Sequence, residues 1–419
     1  MAVRRILCLA AVAALMLSSC IYPFEPGIET SDSRIVVEGS VSIGGTSEFS
    51  FSRVFPFTSN GYDMPAMEMT GYIEGEDGSR IEARRVMDEE SSQAYAATRD
   101  KVDGSEPAYS PLASLVFDTS NASPSQRYRV HFKELITGAE YESDWLEVCV
   151  QPTIDELRYI LDYDRHELNV ALSMHCPSHT HFRWRYDETW EYHSDLYATQ
   201  YFVYEDMFDK SDGSYHPERG IHNYVSPTNT YYCWSTVRSP EVKIFSTTEQ
   251  VENRFTDLEF HRVSSSNKKL QLLYRLTVYL EAISENAYLY WKNIDDNTTN
   301  QGSIFSPIPS QMAGNIHCLT DPSAEVIGYV NASQVAVGIM YYDDRLEGFY
   351  NGPGVDWATL PLEVFSDPAY FYNLYRNGYL PYTYDKDEGT YYWSKARCVD
   401  CRLGGGTKER PEDWPNTDV

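Results

Sequence analysis

Cysteines are the side chains of this 419-residue chain whose type and position could do the most chemistry. Cys8 lies within an apolar segment at the N-terminus, and Cys20 follows directly after that segment. An even number remains further along the chain, at Cys149, Cys176, Cys233, Cys318, Cys398 and Cys401. An even count in an exported chain indicates disulfides, although six cysteines allow fifteen pairings.

Cys20 stands at the end of a pattern typical of lipoprotein signals. Arg4 and Arg5 form a positive region, residues 6–17 are almost entirely apolar, and Leu17-Ser18-Ser19-Cys20 resembles a lipobox. The apolar run is too short to span a bilayer, and small residues end it as peptidase cleavage requires. We therefore expect cleavage before Cys20 and anchoring to a membrane through lipid on its thiol. An ordinary secretory signal with an incidental cysteine is the alternative.

Disulfides are predicted for two pairs of the remaining cysteines. Cys149 and Cys176 flank two strand candidates joined by a polar turn at residues 162–165. A turn centred between residues 162 and 163 places the two cysteines opposite each other in an antiparallel hairpin, which predicts a disulfide between them. Cys398 and Cys401 are also predicted to be oxidised. They pair either with each other or, with larger loops and a larger entropic gain, with Cys233 and Cys318.

Other clusters contain the residue types of enzymes or metal sites without the required spacing. The zinc-protease pattern fails because Val170 occupies the position of the second histidine after His166-Glu167, and no G-x-S-x-G motif is present. The sequence therefore predicts no catalytic residue, no metal site and no cofactor. The groups considered were His175, Cys176, His179 and His181 for zinc, Ser310, His317 and Asp321 for a hydrolytic triad, and Gly404, Gly405, Gly406 and Lys408 for a phosphate loop.

The charge of the chain excludes one class of partner. Acidic residues outnumber Lys and Arg by 62 to 34, which gives a net charge of −28. Such a surface repels nucleic acid and anionic lipid head groups, so nucleic-acid binding is not expected. The chain also contains 34 tyrosines, a residue type that suits strands and binding surfaces because it combines a large ring with a polar tip.

Alternation of apolar and polar residues predicts a mainly β fold with an α/β C-terminal part. Arg34–Ile43 and Glu48–Phe55 form one hairpin candidate, and Leu270 to Leu280 alternates clearly. We expect two β-sandwiches of the immunoglobulin or fibronectin-III type, followed by a mixed region packed on the second. The expected divisions are a signal peptide at 1–19, a lipid tether at 20–33, a sandwich at 34–150, a sandwich with an insertion at 151–283, and the mixed region at 284–419.

Two helices are predicted after residue 283. Ser284 is a candidate N-cap for the first. Asp367-Pro368 begins the second and Gly378 ends it, with Phe371, Leu374 and Tyr375 on the inward face.

Several stretches of the chain together resemble one family. The most specific are GSIFSPIPSQMAGNIHC at residues 302–318 and CVDCRLGGGTKERPEDW at residues 398–414; weaker ones include IVVEG at 35–39 and FRWRYDETWEY at 182–192. The chain resembles the lipoprotein family of Bacteroidota catalogued as domain of unknown function 4249, over essentially its whole mature length. The resemblance implies an outer-membrane accessory lipoprotein that works beside a TonB-dependent transporter, and it implies no enzymatic residue.

The resemblance and the lipid signal lead to three functional hypotheses. The first is a lipid-anchored protein of the outer membrane, displayed at the cell surface, that captures or gates a ligand for a TonB-dependent transporter. The second is a structural or assembly lipoprotein of an envelope complex. The third is a hydrolase, which would need a convergent acid, base or metal site. Acidic residues after the lipid cysteine are scattered, at Glu25, Glu29 and Asp32, and do not form the acidic surface-export signal that is common in such lipoproteins.

Overall fold

The computed structural model describes residues 34–54, 67–85, 113–225, 230–239, 243–299, 314–353 and 360–415. The predicted signal peptide, the tether and Cys20 lie outside these ranges. Within them the chain is mainly β, as the sequence predicts, and its α-helices all follow residue 284. No helix of this described part is long and apolar enough to cross a bilayer.

Two sheets packed face to face form a first sandwich, with strands numbered here along the chain. One sheet contains, in spatial order, β21 (Val326–Ile327), β1 (Arg34–Gly39), β3 (Thr46–Val54), β7 (Ala113–Asp118) and β6 (Arg84–Arg85). The other contains β20 (Ile316–Cys318), β9 (Glu140–Ser143), β8 (Tyr128–Glu134), β4 (Met69–Gly75) and β5 (Arg80–Glu82). A small sheet of β10 (Val148–Cys149), β22 (Ala332–Ser333) and β2 (Val41–Ser42) joins this sandwich to the next.

Phenylalanine rings fill the space between the two sheets of the first sandwich. Phe49 and Phe51 alternate along β3, so both point to the same face and both are fully buried. The centroid of the Phe51 ring lies 4.8 Å from that of Phe132 on the opposite sheet. The hairpin predicted from Arg34 onward is confirmed, because β1 pairs antiparallel with β3 and Gly39 stands opposite Phe49.

A second sandwich follows along the chain. Its first sheet contains β11 (Thr153–Asp162), β12 (Glu167–His175) and β18 (Arg254–Ser264). Its second sheet contains, in order, β16 (Tyr232–Arg238), β13 (His181–His193), β19 (Leu273–Ala282) and β23 (Val335–Asp343), with β17 (Lys243–Ser246) beside the start of β13. Trp184 on β13 contacts Phe260 of the facing sheet, with ring centroids 5.4 Å apart.

The alternation from Leu270 to Leu280 predicts one long strand, and the structure shortens it at the N-terminal end. Residues Lys268–Leu270 form a 3-10 turn that Asn267 caps, since its side chain accepts a hydrogen bond from the Lys269 amide. β19 begins at Leu273, and the predicted apolar positions from there on are buried, among them Leu276 and Leu280; most residues of the other face are buried as well. The cap residue and the turn explain why the strand starts later than the apolar pattern does.

Residues 316–343 complete both sandwiches rather than forming a unit of their own. β20, β21 and β22 join the first sandwich, where β21 pairs in parallel with β1. β23 then joins the second sandwich antiparallel to β19. Three of these strands have two or three residues. Such strands are too short to show a periodic pattern, so the sequence assigned this stretch to the mixed C-terminal region.

The insertion between Tyr192 and Tyr232 packs with the C-terminal residues as a third, smaller unit. It contains β14 (Gln200–Phe202) and β15 (Ile221–Asn223), which pair with each other, and β24 (Leu362–Phe365), β26 (Thr390–Lys395) and β25 (Tyr379–Asp385), which form a sheet. The Thr199 amide donates to the Tyr382 carbonyl at 2.7 Å, which joins the two parts. Short 3-10 helices lie at Tyr204–Met207, Pro217–Gly220, Val251–Asn253, Pro368–Tyr370 and Cys401–Gly404.

Both predicted helices are present. In α1 (Glu285–Thr299) the Ser284 hydroxyl accepts from the Ala287 amide at 3.2 Å, as an N-cap does. Asp367 caps the turn before α3 (Phe371–Arg376), and Gly378 ends the segment with φ +74°. Phe371 and Leu374 are buried as predicted, but Tyr375 is 40% exposed, which corrects its assignment to the inward face. The remaining α-helices of the described residues are the single turns α2 (Asp344–Glu347) and α4 (Ala396–Val399).

Candidate functional site

A disulfide between Cys233 and Cys401 ties the C-terminal segment to β16. The sequence named Cys233 as one of the candidate partners of this C-terminal cysteine pair, and the structure selects it for Cys401. Cys398 is instead a buried free thiol, which corrects its predicted oxidation. Cys398 packs with Leu196 and Val399, whereas Cys401 lies in a separate cluster with Tyr192 and Cys233. Cys318, the other candidate partner, is also free.

The predicted bridge between Cys149 and Cys176 is not formed, because both are buried free thiols. The predicted hairpin exists, but Asp162 pairs with Glu167 and the turn is centred between residues 164 and 165. This shift moves Cys176 beyond the paired residues of β11, whose register ends with Thr153 opposite His175. Cys149 instead lies on β10, opposite Ser333 of β22. Burial raises the pKa of the Cys149 thiol to about 12, so it stays protonated at neutral pH.

The glycine run before Lys408 is a tight turn that seats the C-terminal segment. A Cβ at Gly406 would lie 2.5 Å from the Tyr192 hydroxyl, so only glycine allows this approach. The next residue, Thr407, exchanges backbone hydrogen bonds with Trp234 of β16 at 2.8 and 2.9 Å. Trp414 then donates from its indole nitrogen to Glu191 at 3.3 Å. The stretch at 398–414 therefore has a structural role: it covers one end of the outer face of the second sandwich.

The other candidates from the sequence do not converge. His175 contacts Asp155 at 2.8 Å, and His179 accepts a hydrogen bond from the Val150 amide at 3.0 Å. His317 contacts Asp144 at 2.9 Å, whereas Ser310 lies outside the described residues. In the described ranges, no group of three potential metal ligands is close enough to hold an ion.

A buried polar network around Glu188 was missed by the sequence reading. Its carboxylate accepts hydrogen bonds from Lys269 at 2.6 Å, from the Tyr274 hydroxyl at 2.8 Å and from His261 at 2.9 Å. Burial by itself would raise the pKa of Glu188, but hydrogen bonds from His261 and Lys269 outweigh burial and lower the pKa to about 2. The Tyr186 hydroxyl lies 3.1 Å from the other ring nitrogen of His261. These contacts close on themselves within the core of the second sandwich.

A cleft of about 650 Å³ lies between the two sandwiches and is the candidate binding site. One wall is the outer face of the second sandwich, where residues from neighbouring strands stand in register. Arg183 of β13 is opposite Glu281 of β19, and Arg185 is opposite Tyr279. The other wall comes from β1, β2, β3 and the turns between them. That wall is lined by Glu38, Gly39, Ser40, Ser42, Ile43, Gly44, Gly45, Thr46, Glu48 and Ser50.

The inner end of the cleft is built around a buried ion pair. The Arg183 guanidinium binds the Glu281 carboxylate, with an Nε–Oε1 distance of 2.7 Å, and both side chains are largely buried. The Ser333 hydroxyl donates to the same carboxylate. Trp291 of α1 lies under Arg183, 5.5 Å from the guanidinium carbon to the ring centroid. These contacts satisfy both charges, so this end of the cleft is a rigid floor.

The outer end of the cleft is charged and more open. The Arg185 guanidinium stacks on the Tyr279 ring at 3.9 Å and lies 3.5 Å from Asp187. Arg238 lies 3.7 Å from Asp187 and reaches across the cleft to Glu48 at 3.5 Å. Burial, and then the nearby Asp187 charge, raise the pKa of Tyr279, so its hydroxyl stays protonated. The ion pairs here are longer than good charge-assisted hydrogen bonds, which leaves donor capacity on both arginines.

The residues of the cleft lie far apart in the sequence. Period-two alternation could have placed Arg183, Arg185 and Asp187 on one face of β13, since they occupy every second position. The facing wall is 130 residues or more away along the chain and has no motif that links it to β13. The arrangement has one hydroxyl beside a carboxylate, where Ser333 donates to Glu281, and Arg183 also binds that carboxylate. It can bind a ligand through arginine donors, hydroxyl groups and exposed backbone.

Comparison with known proteins identifies a family and no function. A family model described as Domain of unknown function (DUF4249) matches residues 21–338, more than half of the chain. No curated protein matches the sequence. Among solved structures, the chain is similar to a DUF4785 family protein from Legionella pneumophila, with 7% identity and a TM-score of 0.17. That match covers 59% of this chain and 51% of the other, so the chain spans about half the length of that structure.

Proposed function

We propose a function from the premise that this chain belongs to the DUF4249 family: it is a lipid-anchored envelope protein that binds a ligand in the cleft between its two sandwiches. The observation that carries the proposal is the cleft itself. It has the volume of a small-molecule site, and its charged groups converge from two sandwiches with separate hydrophobic cores. Pairs of domains with a cleft between them are a common setting for ligand capture.

The N-terminal sequence supports the location that we propose. The positive region, the short apolar run and Cys20 indicate export and lipid attachment. We propose the outer membrane, with the body displayed at the cell surface, and a TonB-dependent transporter as the partner that receives the ligand. The net charge of −28 supports a body held in solvent away from anionic lipid head groups.

Lipid attachment is tested by replacing Cys20. In cells fed a labelled fatty acid, the Cys20→Ala variant is expected to carry no label and to leave the membrane fraction or accumulate as an uncleaved precursor. The Cys8→Ala variant is a matched control, since Cys8 lies within the apolar run, and it should label normally. Labelling of the Cys20→Ala protein at the wild-type level would disprove lipidation at this residue.

Partnership is tested by isolating the full-length lipidated protein from native membranes with a mild detergent. Co-purification of a TonB-dependent transporter, and its loss when the protein is released by Cys20→Ala, are the expected results. Recovery of the protein alone under conditions that preserve other envelope complexes would count against a transporter partner.

An assembly role in an envelope complex is the second candidate, and an exposed aromatic surface of the third unit favours it. Phe208, Tyr215, Tyr370 and Tyr375 are 38 to 50% exposed. The rings of Phe208 and Tyr215 contact each other with centroids 5.6 Å apart. Aromatic residues of this kind are enriched at protein interfaces. If Phe208→Ala and Tyr215→Ala abolish co-purification of a barrel protein while no ligand binds in the cleft, the assembly role replaces the first proposal.

A further inference from the structure

The outer end of the cleft contains two guanidinium groups that converge on a single carboxylate oxygen. Arg185 Nη1 lies 3.5 Å from Asp187 Oδ1, and Arg238 Nε lies 3.7 Å from the same atom. Charge-assisted N–H···O bonds to a carboxylate are about 2.7–2.9 Å long. Both arginines are therefore close to a carboxylate without being fully engaged by it. Their side chains are 43% and 58% exposed, so the unused donors face the open cleft.

Glu48 brings a second carboxylate to the same place from the opposite wall. Its Oε2 lies 3.5 Å from Arg238 Nη1, and the Glu48 side chain is 51% exposed. An exposed ion pair of this length contributes little to stability, because water and salt screen it. The Glu48 carboxylate therefore occupies a position beside Arg238 from which another carboxylate can displace it at little cost.

The groups next to the arginines indicate the rest of the ligand. Ser40, Ser42 and Thr46 line the facing wall beside the Gly44-Gly45 turn, whose Gly44 amide and Gly45 carbonyl are hydrogen-bonded to the backbone of Thr119. Side-chain hydroxyl groups of this kind exchange hydrogen bonds with ligand hydroxyls. Tyr279 supports Arg185 from below and fixes the plane of its guanidinium, so the fork of donors is oriented before a ligand arrives.

We propose that the cleft binds a polyhydroxylated ligand through a carboxylate group, which Arg185 and Arg238 hold in place of Glu48. An acidic saccharide of the uronic-acid class has this chemistry. The inference rests on the proposed function, since it names the ligand class of the same cleft. Exchange of Glu48 for the carboxylate of the ligand leaves the number of charges around Arg238 unchanged, since one carboxylate leaves as the other arrives.

Binding of digalacturonate to the full mature chain in detergent, measured by calorimetry, tests the proposal. Arg185→Gln and Arg238→Gln are each expected to weaken binding about tenfold. Glu48→Gln is expected to strengthen binding about threefold, since it removes the competing carboxylate without removing a donor. Arg238→Lys should restore only part of the affinity, because an ammonium lacks the planar fork of donors. Arg262→Gln is the control: that exposed arginine lies on β18, outside the cleft.

The opposite effects of the glutamate and arginine variants separate binding from a structural role. If Glu48→Gln weakens digalacturonate binding as much as Arg238→Gln does, the ion pair is structural and the inference fails. Absence of binding at about 10 mM digalacturonate, with unchanged melting of the wild-type chain, also overturns it. If neutral lactose binds as tightly as digalacturonate and neither arginine variant weakens it, recognition through a carboxylate is ruled out. The proposed ligand-binding function of the cleft would still stand.

Discussion

The Glu188 network and the outer part of the cleft contain the same types of charged side chain, but in the first they stabilise the fold and in the second they are available for binding. Glu188 is 5% exposed, and its partners lie at 2.6 to 2.9 Å. Arg238 and Glu48 are more than half exposed and lie 3.5 Å apart. A buried carboxylate that accepts three short hydrogen bonds holds neighbouring strands together. A long, solvent-exposed ion pair contributes little to the free energy of unfolding. Its charged groups can therefore exchange one partner for another, as a binding site requires.

The largest loss of stability is expected on substitution of Glu188. Glu188→Gln removes the charge that three donors share and leaves Lys269 beside a neutral amide. We expect the free energy of unfolding to fall by about 3 kcal/mol, measured by urea denaturation at pH 7. A change below about 0.5 kcal/mol would mean that the network contributes no more to the free energy of unfolding than a surface ion pair does.

The stability that Glu188 contributes is also expected to depend on pH. The pKa of Glu188 is about 2 in the folded protein and about 4.5 in an unfolded chain, so its ionisation stabilises the fold above pH 4.5. This stability is lost as the pH falls toward 2, because the unfolded state takes up a proton first. Between pH 7 and pH 3 we expect the wild-type chain to lose about 2 kcal/mol more than Glu188→Gln does. Parallel losses in the two proteins, measured by denaturation at each pH, would contradict the assignment.

Arg183 at the floor of the cleft should behave as an intermediate case. Its ion pair with Glu281 is as short as the Glu188 contacts, but it borders the cleft and water can reach the carboxylate once the arginine is gone. We expect Arg183→Gln to lower the free energy of unfolding by about 1.5 kcal/mol. A loss equal to that of Glu188→Gln would show that the floor is as dry as the core.

The smallest effect on stability is expected at the outer end of the cleft. Glu48→Gln and Arg238→Gln should each change the free energy of unfolding by less than about 0.5 kcal/mol. The effect should also shrink further in high salt, since the groups are exposed. A loss above about 1.5 kcal/mol for either variant in thermal or urea unfolding would show that this ion pair holds the sandwiches together.

Much of the fold could be predicted because its signals are local. Alternation along β3 and β19 identifies strands, since a side-chain period of two is a property of each strand by itself. The caps at Ser284 and Asp367 identify helix starts for the same reason, because a side chain satisfies amides two or three residues away. The cysteine count indicated disulfides, and the Cys233–Cys401 bond was among the alternatives.

The predicted bridge between Cys149 and Cys176 failed because register depends on a turn whose centre the sequence did not specify. His166 adopts φ +57°, and the turn falls two residues later than the polar pattern indicates. A shift of the turn centre changes every cross-strand pair in the hairpin, so a small local error removes the predicted pairing of the two cysteines.

The sequence alone was sufficient for the long strands and the helix caps, because each of these depends on residues close together in the chain. The cleft depends on how the two sandwiches meet. β21 and β22, two residues each, return from beyond residue 320 to pair with β1 and β2, and so place Glu48 opposite Arg238. Strands this short have no periodic signature, and their pairing is stable only when the surrounding core is already packed. Residues of the two walls therefore meet through tertiary contacts that no local pattern encodes.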